Sequence, residues 1–398
     1  MILDRLFQLM SDKQASDLFI SAGVPIHIKI QGHTTPVNRQ VMTSAMVEKI
    51  ASELMTEEQA RKFETTMEMN LSFGVPKVGN FRINLFRQRA SIAIVVRFIL
   101  GNIPALDTLG LPPVMAELVM ERRGLILIVG ATGSGKSTTI AAMLDHRNAN
   151  RSGHILTIED PIEFLFRHKK SIVNQRELGM DTLGWDQALR SAMRQAPDCI
   201  LIGEIRDRET MQSAIAYAQT GHLCLATLHA NNSYHALNRI INFFPLENRA
   251  ALYLDLSASL RAIVSQRLVA RPDGRRLPSV EVLLNTRHIQ ELIERGEVLA
   301  IKEAMEQSLA SGSQTFEQDL FRLYREGIIT LDEALASADS PTNLSWLINN
   351  SGLAPSKKEE RKPDAVPEFA GISDPGVSFR EFNLDDDDDR GDGDDRAL

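Results

Sequence analysis

Leu3, Leu6, Phe7 and Met10 recur at helical spacing and predict an opening amphipathic helix. Short apolar stretches at Asp17–Ala22 and Ile26–Gln31 predict strands, with a turn at Gln31-Gly32. Two helices follow. One starts at Ser44, the other at Thr56-Glu57-Glu58-Gln59, which has the form of a capping box. Phe81–Gln88 and Ile92–Phe98 then flank a short turn, so the first hundred residues read as a small mixed α+β domain. If that turn centres on Arg89 and Ala90, paired residues sum to 179. Ile83 then faces Val96 and Leu85 faces Ile94 on one apolar face, and Arg82 faces Arg97 on the other. Like charges set opposite each other are unfavourable unless an anion lies between or above them, which marks the arginines as a candidate phosphate-binding pair.

Gly101–Pro104 and Leu109–Pro113 read as a linker over 101–112. From about Pro113 to Leu284 apolar strands alternate with helices, which predicts a largely parallel sheet covered on both faces. After Leu284 the pattern is helical. Thr315-Phe316-Glu317-Gln318 opens one helix, with Phe316, Leu320, Leu323 and Tyr324 on one face, and Thr330-Leu331-Asp332-Glu333 opens another. The expectation is therefore an α/β chain with domains at 1–100 and 113–350. Beyond Ser351 apolar periodicity stops, and Asp385–Asp389 with Asp392, Asp394 and Asp395 form a like-charge block, so 351–398 reads as a disordered acidic tail.

Charge sharpens this division. Residues 351–398 carry 7 Lys+Arg against 14 Asp+Glu, so of the chain's 44 basic and 52 acidic residues, 37 and 38 fall in residues 1–350. The expected folded part is nearly neutral, which argues against a nucleic-acid binder led by a basic field. No apolar run reaches the roughly 20 residues of a membrane helix. The first ten residues carry Asp4 and have no cleavage-like site, so a cytosolic chain with only peripheral membrane contact is expected. Two cysteines, Cys199 and Cys224, provide neither a disulfide framework nor a four-cysteine zinc site.

The chemistry concentrates at the ends of the expected strands. Leu125–Val129 runs into Gly130-Ala131-Thr132-Gly133-Ser134-Gly135-Lys136-Ser137 and then, from Thr138, into an apolar helical stretch. This is the Walker A pattern in its strand–loop–helix setting. Glycines let the backbone N–H groups turn towards phosphates, the helix N-terminus adds positive potential, Lys136 reaches the β- and γ-phosphates, and Ser137 can ligate Mg²⁺. A second strand, Ile155–Ile158, ends in Glu159-Asp160-Pro161-Ile162-Glu163, three carboxylates that could position Mg²⁺ or a water. A third, Cys199–Ile202, ends in Gly203-Glu204, where Gly203 replaces the usual Walker B aspartate and Glu204 can order a water for attack on the γ-phosphate. The fourth, Leu223–Leu228, lies between His222 and His229. Ligands at opposite strand ends diverge, so a zinc site from these histidines and Cys224 is not expected, whereas His229 can contact phosphate.

These residues resemble the secretion-type ATPases of type IV pili, in particular the PilT/PilU retraction ATPases, over about residues 1–350. The resemblance rests on Ala15–Ile20, the Walker A loop, Thr157–Glu163, Ile202–Asp207, Thr220–His229 and Leu260–Leu268, the last matching a helix in the family. It implies a PAS-like N-terminal domain, a RecA-like ATPase domain with C-terminal helices, and a hexameric ring closed around nucleotide. It implies catalysis by Glu204 with Glu163 and Lys136, and nucleotide contacts from Gly130–Thr138, from Arg82 and Arg97, and from His222 and His229. Candidate Mg²⁺ ligands are Ser137, Glu159, Asp160 and Glu204. Expected partners are a PilT-type retraction ATPase and an inner-membrane pilus platform protein, with no nucleic acid and no structural zinc. Arg287–Glu294 replaces the helix signature typical of PilT, and both this change and the acidic tail look like the PilU side of the family. An adaptor that binds nucleotide but depends on a partner motor is the alternative; a DNA-transfer ATPase is disfavoured by the charge balance.

Overall fold

A computed structural model describes residues 2–350 except Gln31, Lys77, Leu100 and Leu309. The expected disordered tail and the Gln31 half of the expected turn lie outside the described residues. The chain divides into two compact units, one ending at Gly101 and the other beginning at Asn102.

The first unit runs α1 (Ile2–Asp12), β1 (Asp17–Ser21), β2 (Pro25–Ile30), β3 (His33–Val41), α2 (Ser44–Leu54), α3 (Glu57–Thr66), β4 (Glu68–Val75), β5 (Gly79–Gln88) and β6 (Ser91–Ile99). Leu6, Phe7 and Met10 of α1 are fully buried, with Phe7 stacked on Phe81 at a centroid distance of 4.3 Å. The antiparallel sheet has the order β3-β2-β1-β6-β5-β4. The two strands that the residue pattern does not predict, β3 and β4, are its edges. α2 is capped by Thr43, one residue before the expected Ser44, while Thr56 and Gln59 form the expected capping box. The β5–β6 register follows the sum of 179 throughout, from Asn80 opposite Ile99 to Gln88 opposite Ser91. Arg89 and Ala90 both have positive φ, 44° and 60°, as a turn matching the strand twist requires. On the other side of β6, Asp17 of β1 is the register partner of Arg97 and pairs with its Nε at 2.9 Å.

The second unit begins with residues expected to be a linker. They form a 3₁₀ turn at Leu106–Leu109, and Leu106 is buried in this unit's core. Then come α4 (Val114–Met120), β7 (Gly124–Val129), α5 (Lys136–Asn150), β8 (Gly153–Glu159), β9 (Ser171–Glu177), α6 (Trp185–Ala192), β10 (Cys199–Ile202), α7 (Arg208–Gln219), β11 (Leu223–Leu228), α8 (Ser233–Asn242) and α9 (Arg249–Ser259). They are followed by β12 (Leu260–Ala270), β13 (Arg276–Leu284), α10 (Arg287–Glu294), α11 (Ile301–Glu306), α12 (Phe316–Arg325), α13 (Leu331–Ala336) and α14 (Pro341–Asn350). The sheet order is β13-β12-β7-β11-β10-β8-β9, parallel apart from β13. β7 shows why it needs cover on both sides. Leu125, Leu127 and Val129 enter one core, Ile126 and Ile128 the other.

One expectation is overturned here. Leu260–Leu268 is not a helix but most of β12, parallel to β7 on one side and antiparallel to β13 on the other. Its Ile263-Val264 pair is stiff at χ1 and packs well on a pleated surface. A third core of Phe316, Leu320, Leu323, Ile329, Ala334 and Leu344 unites α12–α14 and meets β12 through Val269. Thr315 and Thr330 cap α12 and α13 as expected. No helix among the described residues is long and apolar enough to cross a membrane.

Candidate functional site

The strand registers build the site. Val129 lies beside Leu228, while Ile202 lies between Ala226 and Ile158, so the segments leaving β7, β8, β10 and β11 emerge along one edge of the sheet. They line a cleft of about 610 Å³ that holds Lys136, Ser137, Thr138, Glu159, Asp160, Glu163, Glu204 and His229. Residues up to 97 positions apart in the sequence range Thr132–His229 thus share one concavity.

The phosphate loop is shaped by its glycines and by a strand that sequence reasoning missed as such. Gly133 and Gly135 have φ of 79° and 89°. A side chain at Gly130 would run into the Gln266 carbonyl and the Ser134 hydroxyl. Gln266 of β12 is buried and braces the loop from beneath. Its Nε2 donates to the Ser134 carbonyl at 2.8 Å, and its Oε1 accepts from the Thr139 hydroxyl at 2.8 Å. A lone amide inside the apolar run Leu260–Leu268 is the signal that could have revealed it. Lys136 donates to the Gly130 and Ala131 carbonyls, each at 2.9 Å. Burial lowers its pKa, opposed by the charges of Glu204 and Glu163 in the same cleft.

Glu204 lies at the end of β10 with one oxygen 2.8 Å from Arg206 Nε and the other 3.3 Å from His229 Nε2. Arg206 also approaches Asp160 at 3.5 Å, tying the two acidic segments together. Gly203 is tightly enclosed by its neighbour: a Cβ there would stand 3.1 Å from the Glu159 Cα and 3.2 Å from the Ile158 carbonyl, so the usual aspartate would force that backbone to give by a few tenths of an ångström. Glu159 is buried and accepts from the Thr157 hydroxyl at 2.6 Å and from Gln175 at 3.3 Å. Burial pushes its pKa from 4.5 to about 7, opposed by those hydrogen bonds and reinforced by the charge of Glu163.

Residues 1–276 match the family of type II/IV secretion system proteins. The chain belongs to that family. This secretion ATPase is 47% identical to the type IV pilus ATPase PilU of Pseudomonas aeruginosa over 349 residues, 87% of this chain and 91% of the relative. It is 39% identical to the PilT retraction ATPase of the same organism over 343 residues, 86% of this chain and all of the relative. A crystal structure of the pilus retraction motor PilT with bound ADP superposes with a TM-score of 0.80 at 39% identity, over 87% of this chain and 99% of that one. The ATPase DotB of Legionella pneumophila superposes with a TM-score of 0.72 at 25% identity, over 82% and 92%. The α/β fold, with a RecA-like ATPase unit, agrees with these likenesses.

The remaining candidate residues of this secretion ATPase lie as follows. His222 is not in the cleft. It precedes β11 at the opposite end of the strand from His229, about 23 Å away at 3.3 Å per residue, and its Nδ1 contacts Thr220 and the Tyr217 carbonyl. Among the described residues no three His, Cys, Asp or Glu side chains gather to hold a cation, so any ion here would also need phosphate oxygens and water. Glu159 bonds Thr157 and Gln175, Glu204 and Asp160 face Arg206, and Ser137 is among the hydroxyls that line the cleft. Arg82 and Arg97 stand on β5 and β6 of the first unit. Cys199 and Cys224 are buried free thiols on the neighbouring strands β10 and β11.

Proposed function

We propose that this ATPase is a motor subunit that drives or assists type IV pilus retraction. The observation carrying the reading is the convergence of Lys136, Glu163, Glu204 and His229 at one cleft, in a chain whose relatives are named as pilus ATPases. The loop Gly130–Thr138 receives the phosphates, with its amides and Lys136 supplying positive potential at developing negative charge. Glu204 orients the attacking water, and Glu163, in the same cleft as Lys136, supports the same charge pattern. Mg²⁺ fits as an ion held by Ser137, phosphate oxygens and retained water, which suits its reluctance to dehydrate. When bound it neutralises the phosphates' charge. Arg82 and Arg97 meet the γ-phosphate held by a neighbouring subunit, and a homo-oligomeric ring, a hexamer in this reading, repeats the cycle around its circumference. The ring works on the cytoplasmic side of the inner membrane against the pilus platform protein, beside a PilT-type motor.

Phosphate release by purified protein tests this. Lys136→Ala should abolish nucleotide binding and turnover, while Glu204→Gln should bind nucleotide yet turn it over at least a hundredfold more slowly, on the order of what one positioned group contributes. Undiminished turnover in either variant would refute the assignment. A second reading, an adaptor leaning on a partner motor, is favoured by α10, which keeps Ile289, Leu292 and Ile293 buried while its outer face departs from the PilT signature. Retraction in cells carrying Glu204→Gln separates the two, since an adaptor tolerates the change.

A further inference from the structure

β12 touches the nucleotide cleft with one side chain and the C-terminal helices with the next. Gln266 braces the phosphate loop, and Arg267 points to the opposite face. The Arg267 guanidinium lies 3.6 Å above the ring of Phe316, the first residue of α12. Its Nη1 donates to the Ser337 carbonyl, and its Nη2 pairs with Asp339 at 2.7 Å and donates to the Asn231 carbonyl at 3.3 Å. The other Asp339 oxygen accepts from Asn232 Nδ2 at 2.6 Å, and the Asn232 side chain also caps α8. Asn231 and Asn232 belong to the short segment that joins His229 to α8. Next along, Ser233 is held by Glu281 of β13 through its backbone N–H at 2.7 Å and its hydroxyl at 2.6 Å.

We propose that Arg267 and Asp339 act as one positioning pair that ties the His229-bearing loop to α12–α14, so that the C-terminal helices set the geometry in which the cleft turns ATP over. The inference rests on the ATPase reading above. The pair has the physical character the role needs. Its side chains are only 24% and 20% exposed, so solvent screens it less than a surface ion pair. Arg267 holds its partners through a planar fork stacked on an aromatic ring, a geometry that lysine does not reproduce. Asp339 bridges a cation on β12 and an amide on the loop, so a displacement at the Ser337–Asp339 turn reaches Asn232 directly. From there the chain is three residues from His229, whose Nε2 faces Glu204 at 3.3 Å. Helices outside the cleft are thereby linked to the group that orients water, without contacting nucleotide.

Steady-state ATPase kinetics on the full-length protein test this with Asp339→Asn, Arg267→Lys, the alanine variants and their double mutant. Asp339→Asn is isosteric and serves if an arginine variant fails to fold. The expected result is a kcat about tenfold lower with KM for ATP within about twofold, because the phosphate-loop brace through Gln266 is untouched. The double mutant should be no slower than the slower single, as for residues acting as one unit. Asp319→Ala is the control. It removes another tie between the same helices and the sheet, the 2.9 Å bond from the Val280 N–H, without touching the Ser337–Asp339 turn or the His229 loop, and should lower Tm while leaving kcat in place. The proposal is overturned if Asp339→Asn lowers Tm without lowering kcat, if KM rises with kcat unchanged, or if Asp319→Ala slows turnover equally. Wild-type protein that binds nucleotide without hydrolysing it would defeat the underlying ATPase reading; normal wild-type turnover with unaltered variants defeats this inference alone.

Discussion

Glu159 should make the second unit less stable as pH rises through neutrality, and Glu159→Gln should remove that dependence. Glu159 as a whole is 9% exposed, and burial of its carboxyl carries the pKa from 4.5 to about 7. Between those values the folded protein keeps a proton that the unfolded chain has released. The stability from this group is therefore complete below 4.5 and is lost as pH climbs through 7. At 1.36 kcal/mol per pH decade, the interval is worth about 3 kcal/mol as an upper bound. Glutamine reproduces the neutral form, because its carbonyl accepts the same bonds from Thr157 and Gln175 that Oε1 of Glu159 accepts. Melting of the nucleotide-free protein at pH 5.5, 6.5, 7.5 and 8.5 reads the difference. The variant should gain on wild type as pH rises, by about 4–8 °C in Tm between the extremes for a unit of this size, since about 2 kcal/mol of the interval falls between pH 5.5 and 8.5. A gap that stays constant, or that widens towards acid, would refute the reasoning.

Restoring the usual aspartate with Gly203→Asp should impair rather than improve the protein. Its Cβ would press on the Glu159 Cα and the Ile158 carbonyl, both backbone atoms, at a cost of about 1–3 kcal/mol, visible as a lower Tm together with slower turnover. Gln266→Leu should strand the Ser134 carbonyl and the Thr139 hydroxyl, costing about 1–3 kcal/mol and weakening nucleotide binding as measured by titration with a fluorescent ATP analogue. Ala90→Gly should stabilise the first unit by about 0.5 kcal/mol, since Ala90 sits at φ 60° where glycine carries no Cβ penalty; a lower melting temperature for that unit would contradict the turn assignment.

The elements legible in the sequence are those whose local pattern and tertiary role agree. The hairpin register over β5 and β6, the caps at Thr56, Thr315 and Thr330, and the strands β7, β8, β10 and β11 are of this kind. In each sheet the edges were not legible: β3 and β4 in the first, β9 and β13 in the second. β3 has one bonded neighbour and mostly exposed residues, so its period-2 signal is weak. β12 failed differently. It was matched by resemblance to a helix, although its β-branched pair Ile263-Val264 favours the strand that it forms between β7 and β13.

At the site, sequence alone determined the chemistry. The order strand, glycine loop, lysine, helix specifies a phosphate cradle because the backbone conformations and charges it needs are local. Sequence also placed Glu159, Glu163, Glu204 and His229 at strand ends, again a local property. The tertiary structure decided which of these groups meet, because register between parallel strands depends on contacts far apart in the chain. It put His229 against Glu204 and left His222 at the far end of β11. It gave Gly203 its tight enclosure by the backbone of β8, Glu159 its proton affinity through burial, and the phosphate loop its brace in Gln266, 130 positions from Lys136. None of these is encoded by neighbours in sequence: each arises from desolvation and close packing, which exist only once the sheet has assembled.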